Sequence, residues 1–379
     1  MTATGSTHEQ PGIRQAGKPF PADPAGGGTA AAARPETVRA GQRDAFFDNA
    51  KYLAIVLVAV GHSWEPLRSD SRTVTALYMT VYAIHMPAFI ILSGYFSRSF
   101  DAAPQRIRRL VTGVALPYVI FEVAYTLFTR WTDNAPDRPI SLLEPLYLTW
   151  FLAALFIWRL TTPLWRTVRR PLPLALGLAM LATLSPAIGE DLDLQRVLQF
   201  LPYFVLGLCL RPEHFGLLRR REVRALALPV LVCACVFAYW AVPRVNYAWL
   251  FHRDSARELG AAPWTGPAMT VALFGCSVVL VTCFLTLVPN RRVWFTVLGS
   301  GTLYGYLLHG FVVQAVGHWR VWDHAWLHRP FGEIAVSVVA ATVVTALCTP
   351  AVRRIFRFAV EPEVRWAFRA THPREAPTR

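Results

Sequence analysis

Ten apolar runs, each near bilayer length, recur along this chain at roughly residues 46–65, 75–97, 107–128, 142–161, 171–188, 194–210, 225–243, 267–289, 293–317 and 331–351. Crossing a hydrocarbon core about 30 Å thick takes roughly 20 apolar residues of helix. The repetition predicts an all-α, polytopic membrane protein with about ten transmembrane helices. Charged residues make up only 16% of the chain, against about 25% in soluble domains. Several runs contain Pro or Gly (Pro87, Pro117, Pro202, Gly207, Gly299, Gly301, Gly305). Bundled membrane helices tolerate these because neighbours satisfy the freed backbone groups.

The net charge of +14 invites a nucleic-acid reading. Its distribution argues against one, because Arg sits in short clusters between the apolar runs, as the positive-inside rule requires. With the N-terminus taken as cytoplasmic, most of the 38 Lys and Arg residues fall on inner connections and tails. The outer loops then collect acids such as Asp133, Asp137, Asp193, Asp254 and Glu258. Both termini are therefore expected inside, in agreement with an even number of spans. Residues 1–40 are rich in Gly, Pro and Ala without a continuous apolar run. They read as a disordered tail and not as a cleavable signal. Residues 41–355 form the expected membrane domain, and 356–379 a cytoplasmic C-terminal tail. The six cysteines lie in or at the ends of apolar segments, where small buried hydrophobes are the simplest reading.

Ionisable groups at membrane depth are costly and mark function by default. The first segment gathers its own on one face. A helix turns about 100° per residue, so Asp44, Asp48, Lys51 and His62 fall on one stripe about 60° wide. Only 13 residues separate Lys51 from Glu65, fewer than the roughly 20 a span needs. The helix must begin near Phe46, which puts Asp48 and Lys51 at membrane depth, where an i,i+3 pair lowers their cost. Lys51 lies toward the cytoplasm and His62, about 16 Å along the helix, toward the outer half. Snorkelling to the headgroups is the plainer explanation of Lys51 alone, and an interfacial position beside Trp64 and Glu65 that of His62 alone. The second segment adds His85 at mid-span, then Ser93, Gly94, Tyr95 and Arg98 at its cytoplasmic end. Arg98, Arg106, Arg108 and Arg109 form a basic cluster whose guanidinium groups match phosphate geometry. Glu122 lies inside the third segment. In the ninth, Tyr306 and His309 share a face. His318, His324 and His328 follow in a loop at irregular spacing with no nearby Cys, which predicts no zinc site.

Arg43, Asp44, Asp48, Lys51, Gly61 and His62, followed by H-M-P-x-F-x-x-x-S-G-Y-F at 85–96, resemble the integral-membrane acyltransferase-3 family. The likeness is closest to its fucose 4-O-acetylase-like branch. Lys51, ten residues, then His62 is similar to that family's first-helix pattern. Residues 106–121 resemble its basic entry and Pro-Tyr helix, Tyr147 to Phe156 its Trp-Phe-Leu segment, and Tyr304 to Gly310 its late Tyr/His segment. One departure is that Trp150-Phe151-Leu152 is not followed by the Glu found in many O-antigen-type relatives.

The resemblance implies transfer of an acyl group, usually acetyl, from cytoplasmic acyl-CoA to a hydroxyl. The acceptor is a glycan or a lipid-linked or glycosylated molecule, and the setting a bacterial cell membrane. No cofactor is bound permanently; acyl-CoA is a substrate. Catalytic candidates are His62, Lys51, Asp48, His85 and His309. His62 serves as general base or as acyl carrier. Its orienting partner is expected from another helix, His85 and His309 being the candidates. Donor-binding candidates are Arg43, Ser93, Tyr95, Arg98, Arg106 and Arg109. Lys51, His62 and the arginine cluster are expected to line one continuous cavity. Two other readings compete: a proton-coupled transporter relaying through His62, His85, Glu122 and His309, and a non-catalytic membrane scaffold.

Overall fold

The computed structural model describes residues 44–133, 136–189 and 191–364. The expectations for Arg43, for the tail over 1–40 and for the C-terminal tail beyond 364 lie outside the described residues. Among those residues all regular structure is helical.

The long helices are α1 (Ala45–Trp64), α2 (Arg72–Ser97), α3 (Pro104–Thr132), α4 (Trp150–Thr167), α5 (Pro171–Ala182), α6 (Leu194–Cys209), α7 (Arg221–Ala241), α8 (Thr265–Leu287), α9 (Thr302–His318) and α10 (Pro330–Leu347), followed by α11 (Pro350–Val360). Each expected apolar run overlaps one of α1 to α10. Six of them (α1, α2, α3, α7, α8 and α10) have the length and hydropathy of a membrane span. The others fall short: α5 has 12 residues, α6 has 16 and α9 has 17, and α4 carries Arg159 and Arg166.

α1 and α2 form the centre. α1 packs on α2, α9 and α10, and α2 on α6, α7 and α8. α2 is almost wholly enclosed, whereas α7 exposes Leu226, Val236 and Phe237. That contrast separates a protein-facing core from a lipid-facing rim, since hydrocarbon and core both accept apolar side chains. A close approach lies between α2 and α6, where Gly94 meets Gly207. A Cβ on Gly94 would strike the Phe204 carbonyl, and one on Gly207 the Ile91 carbonyl. Small residues at such crossings let backbones close on each other.

Local chemistry sets the ends of the central helices. Asp44 accepts from the Phe46 N–H at 2.9 Å and Ser71 from Val74 N–H at 3.2 Å, so both helices start on a side-chain cap. Asn49, fully buried, donates to the Pro289 and Arg291 carbonyls at 2.8 and 3.0 Å. It thereby ties the loop before α9 to α1.

Two expected segments start later as helix than hydropathy implies. The run over 293–317 opens with the 3₁₀ turn Thr296–Ser300. The run over 142–161 becomes helical only at Trp150. Residues 142–149 enter the bundle as irregular chain, with Tyr147 in the left-handed region at φ +58°. Their polar groups are taken by Glu122, which accepts from Leu146 N–H at 2.9 Å and from the Thr149 hydroxyl. Irregular backbone within a helical bundle persists where protein satisfies it in this way. Glu122 is thus paired, its carboxylate holding this stretch of chain.

Candidate active site

α1 carries a polar group at each end, and each opens into its own cavity. The upper cavity, of about 430 Å³, is lined by His62, Glu65, His85, Tyr147 and Trp150, among others. The lower, of about 580 Å³, is lined by Asp44, Asp48, Lys51, Tyr95 and Arg98. No residue lines both. The expected single cavity is therefore corrected to two, because the apolar middle of α1 packs against its neighbours through Ile55 and Val58, both fully buried.

In the upper cavity His62 stands in the last turn of α1. Its Nδ1 meets Glu65 Oε1 at 3.2 Å. The expected partner from another helix is thus replaced by a residue three positions along the same chain. The α1 cap brings Glu65 back onto the His62 face. Glu65 also accepts from the hydroxyls of Tyr82 at 2.9 Å and Tyr78 at 3.2 Å. Just past the end of α1, it experiences opposing effects: burial alone would raise its carboxyl, but the His62 ring, the Tyr82 hydroxyl and Arg68 outweigh it and hold the pKa at about 2. A carboxylate on Nδ1 makes that nitrogen the donor and leaves Nε2 with its lone pair. That is the form a general base needs.

The other two histidines are fixed differently. His85 lines the same cavity, with Nδ1 on the Val81 carbonyl at 2.8 Å. His309 lies 5.6 Å from His62 ring to ring, with Nδ1 on the Gly305 carbonyl at 2.9 Å. Its Nε2 is buried without a partner. It lines an apolar groove of about 260 Å³ formed with α1 and α10, not the upper cavity. Neither histidine orients His62.

The far wall of the upper cavity is aromatic and charged. Trp150 stacks on Phe200 at 5.5 Å, and Arg196 lies 4.9 Å over Trp150 while pairing with Asp193 at 3.1 Å. Glu65, Tyr82, Tyr147 and Arg196 are site residues that the sequence reading missed. The i,i+3 spacing of His62 and Glu65 was a usable signal for the first of them. The others come from distant segments and carry no local pattern.

In the lower cavity Lys51 Nζ meets Asp48 Oδ1 at 2.7 Å, the pair expected from their spacing. Arg98 lies 4.0 Å over the Tyr95 ring and donates to the Leu210 carbonyl at 3.1 Å. The remaining donor-binding candidates stand apart from this cavity. Arg106 pairs with Asp101 at 3.3 Å, Arg109 is exposed, and Ser93 uses its carbonyl to accept from Ser97 at 2.7 Å.

The helical scaffold thus holds a carboxylate-paired histidine in a polar cavity. Residues 44–353 match the acyltransferase-3 family, described as an acyltransferase domain, and the chain belongs to that family: it is an acyltransferase and a membrane protein. It is also similar to the nodulation protein NolL of Sinorhizobium fredii (strain NBRC 101917 / NGR234), at 24% identity over 311 residues covering 75% of this chain and 82% of that one. No solved structure matches.

Proposed function

We propose that the protein is a multi-pass O-acyltransferase of a bacterial plasma membrane, with about ten spans and both termini cytoplasmic. It moves an acyl group, acetyl being the simplest, from cytoplasmic acyl-CoA to a hydroxyl of a glycan or glycosylated acceptor. The fucose 4-O-acetylase-like branch is the nearest fit to the motifs over 43–121. The observation that carries this reading is the His62–Glu65 pair in a cavity walled by aromatic rings and carboxylates. Aromatic faces and carboxylate acceptors suit a ring bearing several hydroxyls. His62 Nε2 takes the proton of the attacking hydroxyl, and Glu65 stabilises the imidazolium that forms. Lys51 and Arg98, in the lower cavity, meet the anionic head of the donor. The charge asymmetry of the loops supports the cytoplasmic side for that cavity.

The test uses the full chain purified in detergent, radiolabelled acetyl-CoA and a panel of methyl glycosides. Wild type should release free CoA and label at least one glycoside, and His62→Ala should do neither. Transfer by His62→Ala at the wild-type rate, or no transfer by wild type to any glycoside, sinks the reading.

A further inference from the structure

The chain between α3 and α4 is held in an unusual way. Tyr147 adopts φ +58°, a conformation that bulky residues rarely take and that marks functional sites when the surroundings impose it. Here they do. Glu122 binds the residue before it and Thr149 two after it. From α9, the Tyr306 hydroxyl donates to the Leu148 carbonyl at 2.5 Å. The ring is seated against Gly310, where a Cβ would strike the Tyr147 ring, the Leu148 side chain and the Tyr125 hydroxyl. Two helices thus converge to force one side chain into one place.

That place is beside His62, 5.4 Å ring to ring, on the wall of the upper cavity. The Tyr147 hydroxyl is buried and has no hydrogen-bond partner. Its neighbours Tyr78, Tyr82 and Tyr306 spend theirs on Glu65 or on Leu148. A buried unpartnered hydroxyl destabilises the fold, so packing alone gives no reason to keep it, whereas Phe would fill the same space.

We propose that Tyr147 is a catalytic residue of acyl transfer, whose O–H receives the oxyanion formed at the acyl carbonyl, and that Glu122 is the positioning residue that holds it there. This rests on the His62 reading above. His62 takes the acceptor's proton, and the acceptor oxygen bonds to the carbonyl carbon of the acyl thioester. The C=O π pair moves onto oxygen, where Tyr147 donates a hydrogen bond. As the oxyanion collapses, the C–S bond breaks and the thiolate leaves with the proton from His62. A fixed donor aimed at developing charge costs no reorganisation during the reaction.

The experiment compares Tyr147→Phe, Glu122→Gln, the double variant and His62→Ala, all as full chain in detergent, with acetyl-CoA and the methyl glycosides. Tyr147→Phe should lower kcat by about 10²–10³-fold and leave KM for acetyl-CoA within about twofold. Its thermal midpoint should be no lower than wild type, since an unpaired buried hydroxyl has been removed. Glu122→Gln should lower kcat at least about tenfold, yet add less than about twofold in the Tyr147→Phe background, because both act through one hydroxyl. A Tyr147→Phe kcat within about threefold of wild type, or a loss of kcat that tracks a fall in thermal midpoint, overturns the proposal. An inactive His62→Ala beside an active Tyr147→Phe removes only this proposal. An active His62→Ala, or an inactive wild type, removes the reading beneath it as well.

Discussion

On the proposed reaction His62 and Glu65 divide the work of one catalytic group, and each deletion should reveal a different part. Glu65→Gln keeps the shape but no longer favours the Nδ1–H form. Its kcat should fall at least about tenfold while acetyl-CoA binding holds, as measured by steady-state kinetics. Because the folded-state pKa of Glu65 is depressed to about 2, its stabilising charge is present above the ordinary carboxylate range and is lost as pH falls toward that value. The thermal midpoint of wild type should exceed that of Glu65→Gln at about pH 7, and the gap should narrow at about pH 3. His318 offers a control. Its Nδ1 meets the Thr132 carbonyl at 2.7 Å at an exposed position, remote from either cavity, so His318→Ala should retain near-wild-type turnover.

At the scale of the helix, the α2–α6 crossing is the most demanding contact. Gly207→Val should reduce the folded fraction recovered from membranes, since forcing bulk into a closed crossing typically costs about 1–3 kcal/mol or more; fluorescence-detected size exclusion would show it. The start and register of α1 were legible in the sequence, because the short count from Lys51 to Glu65 leaves one place for a span to begin. The start of α4 was not. Leu142 to Thr149 is largely apolar, and its end, at Leu148 and Thr149, is buried in the bundle. Hydropathy reports the surroundings of a segment and is silent on its backbone. What bends this one is a carboxylate 24 residues earlier, on α3. For the same reason the sequence did not show what Glu122 pairs with. Its true partners become neighbours only once α3 and the loop have packed.

For the whole molecule the central finding is that α1 has a polar end in each of two separate cavities. The Lys51–Asp48 spacing and the loop charges pointed to this polarity from sequence, while the wall between the cavities depends on packing that sequence does not display. Lys51→Ala and Arg98→Ala should raise KM for acetyl-CoA and leave KM for the glycoside acceptor unchanged, with His62→Ala retaining acetyl-CoA binding. In sealed proteoliposomes with one orientation, acetyl-CoA should sustain turnover only from the Lys51 side, and acylated product should collect on the other. The buried middle of α1, at Ile55 and Val58, stands between its two polar ends. On the proposed reaction, the polyanionic carrier stays in the compartment that synthesises it while only the acyl group it carried reaches the acceptor.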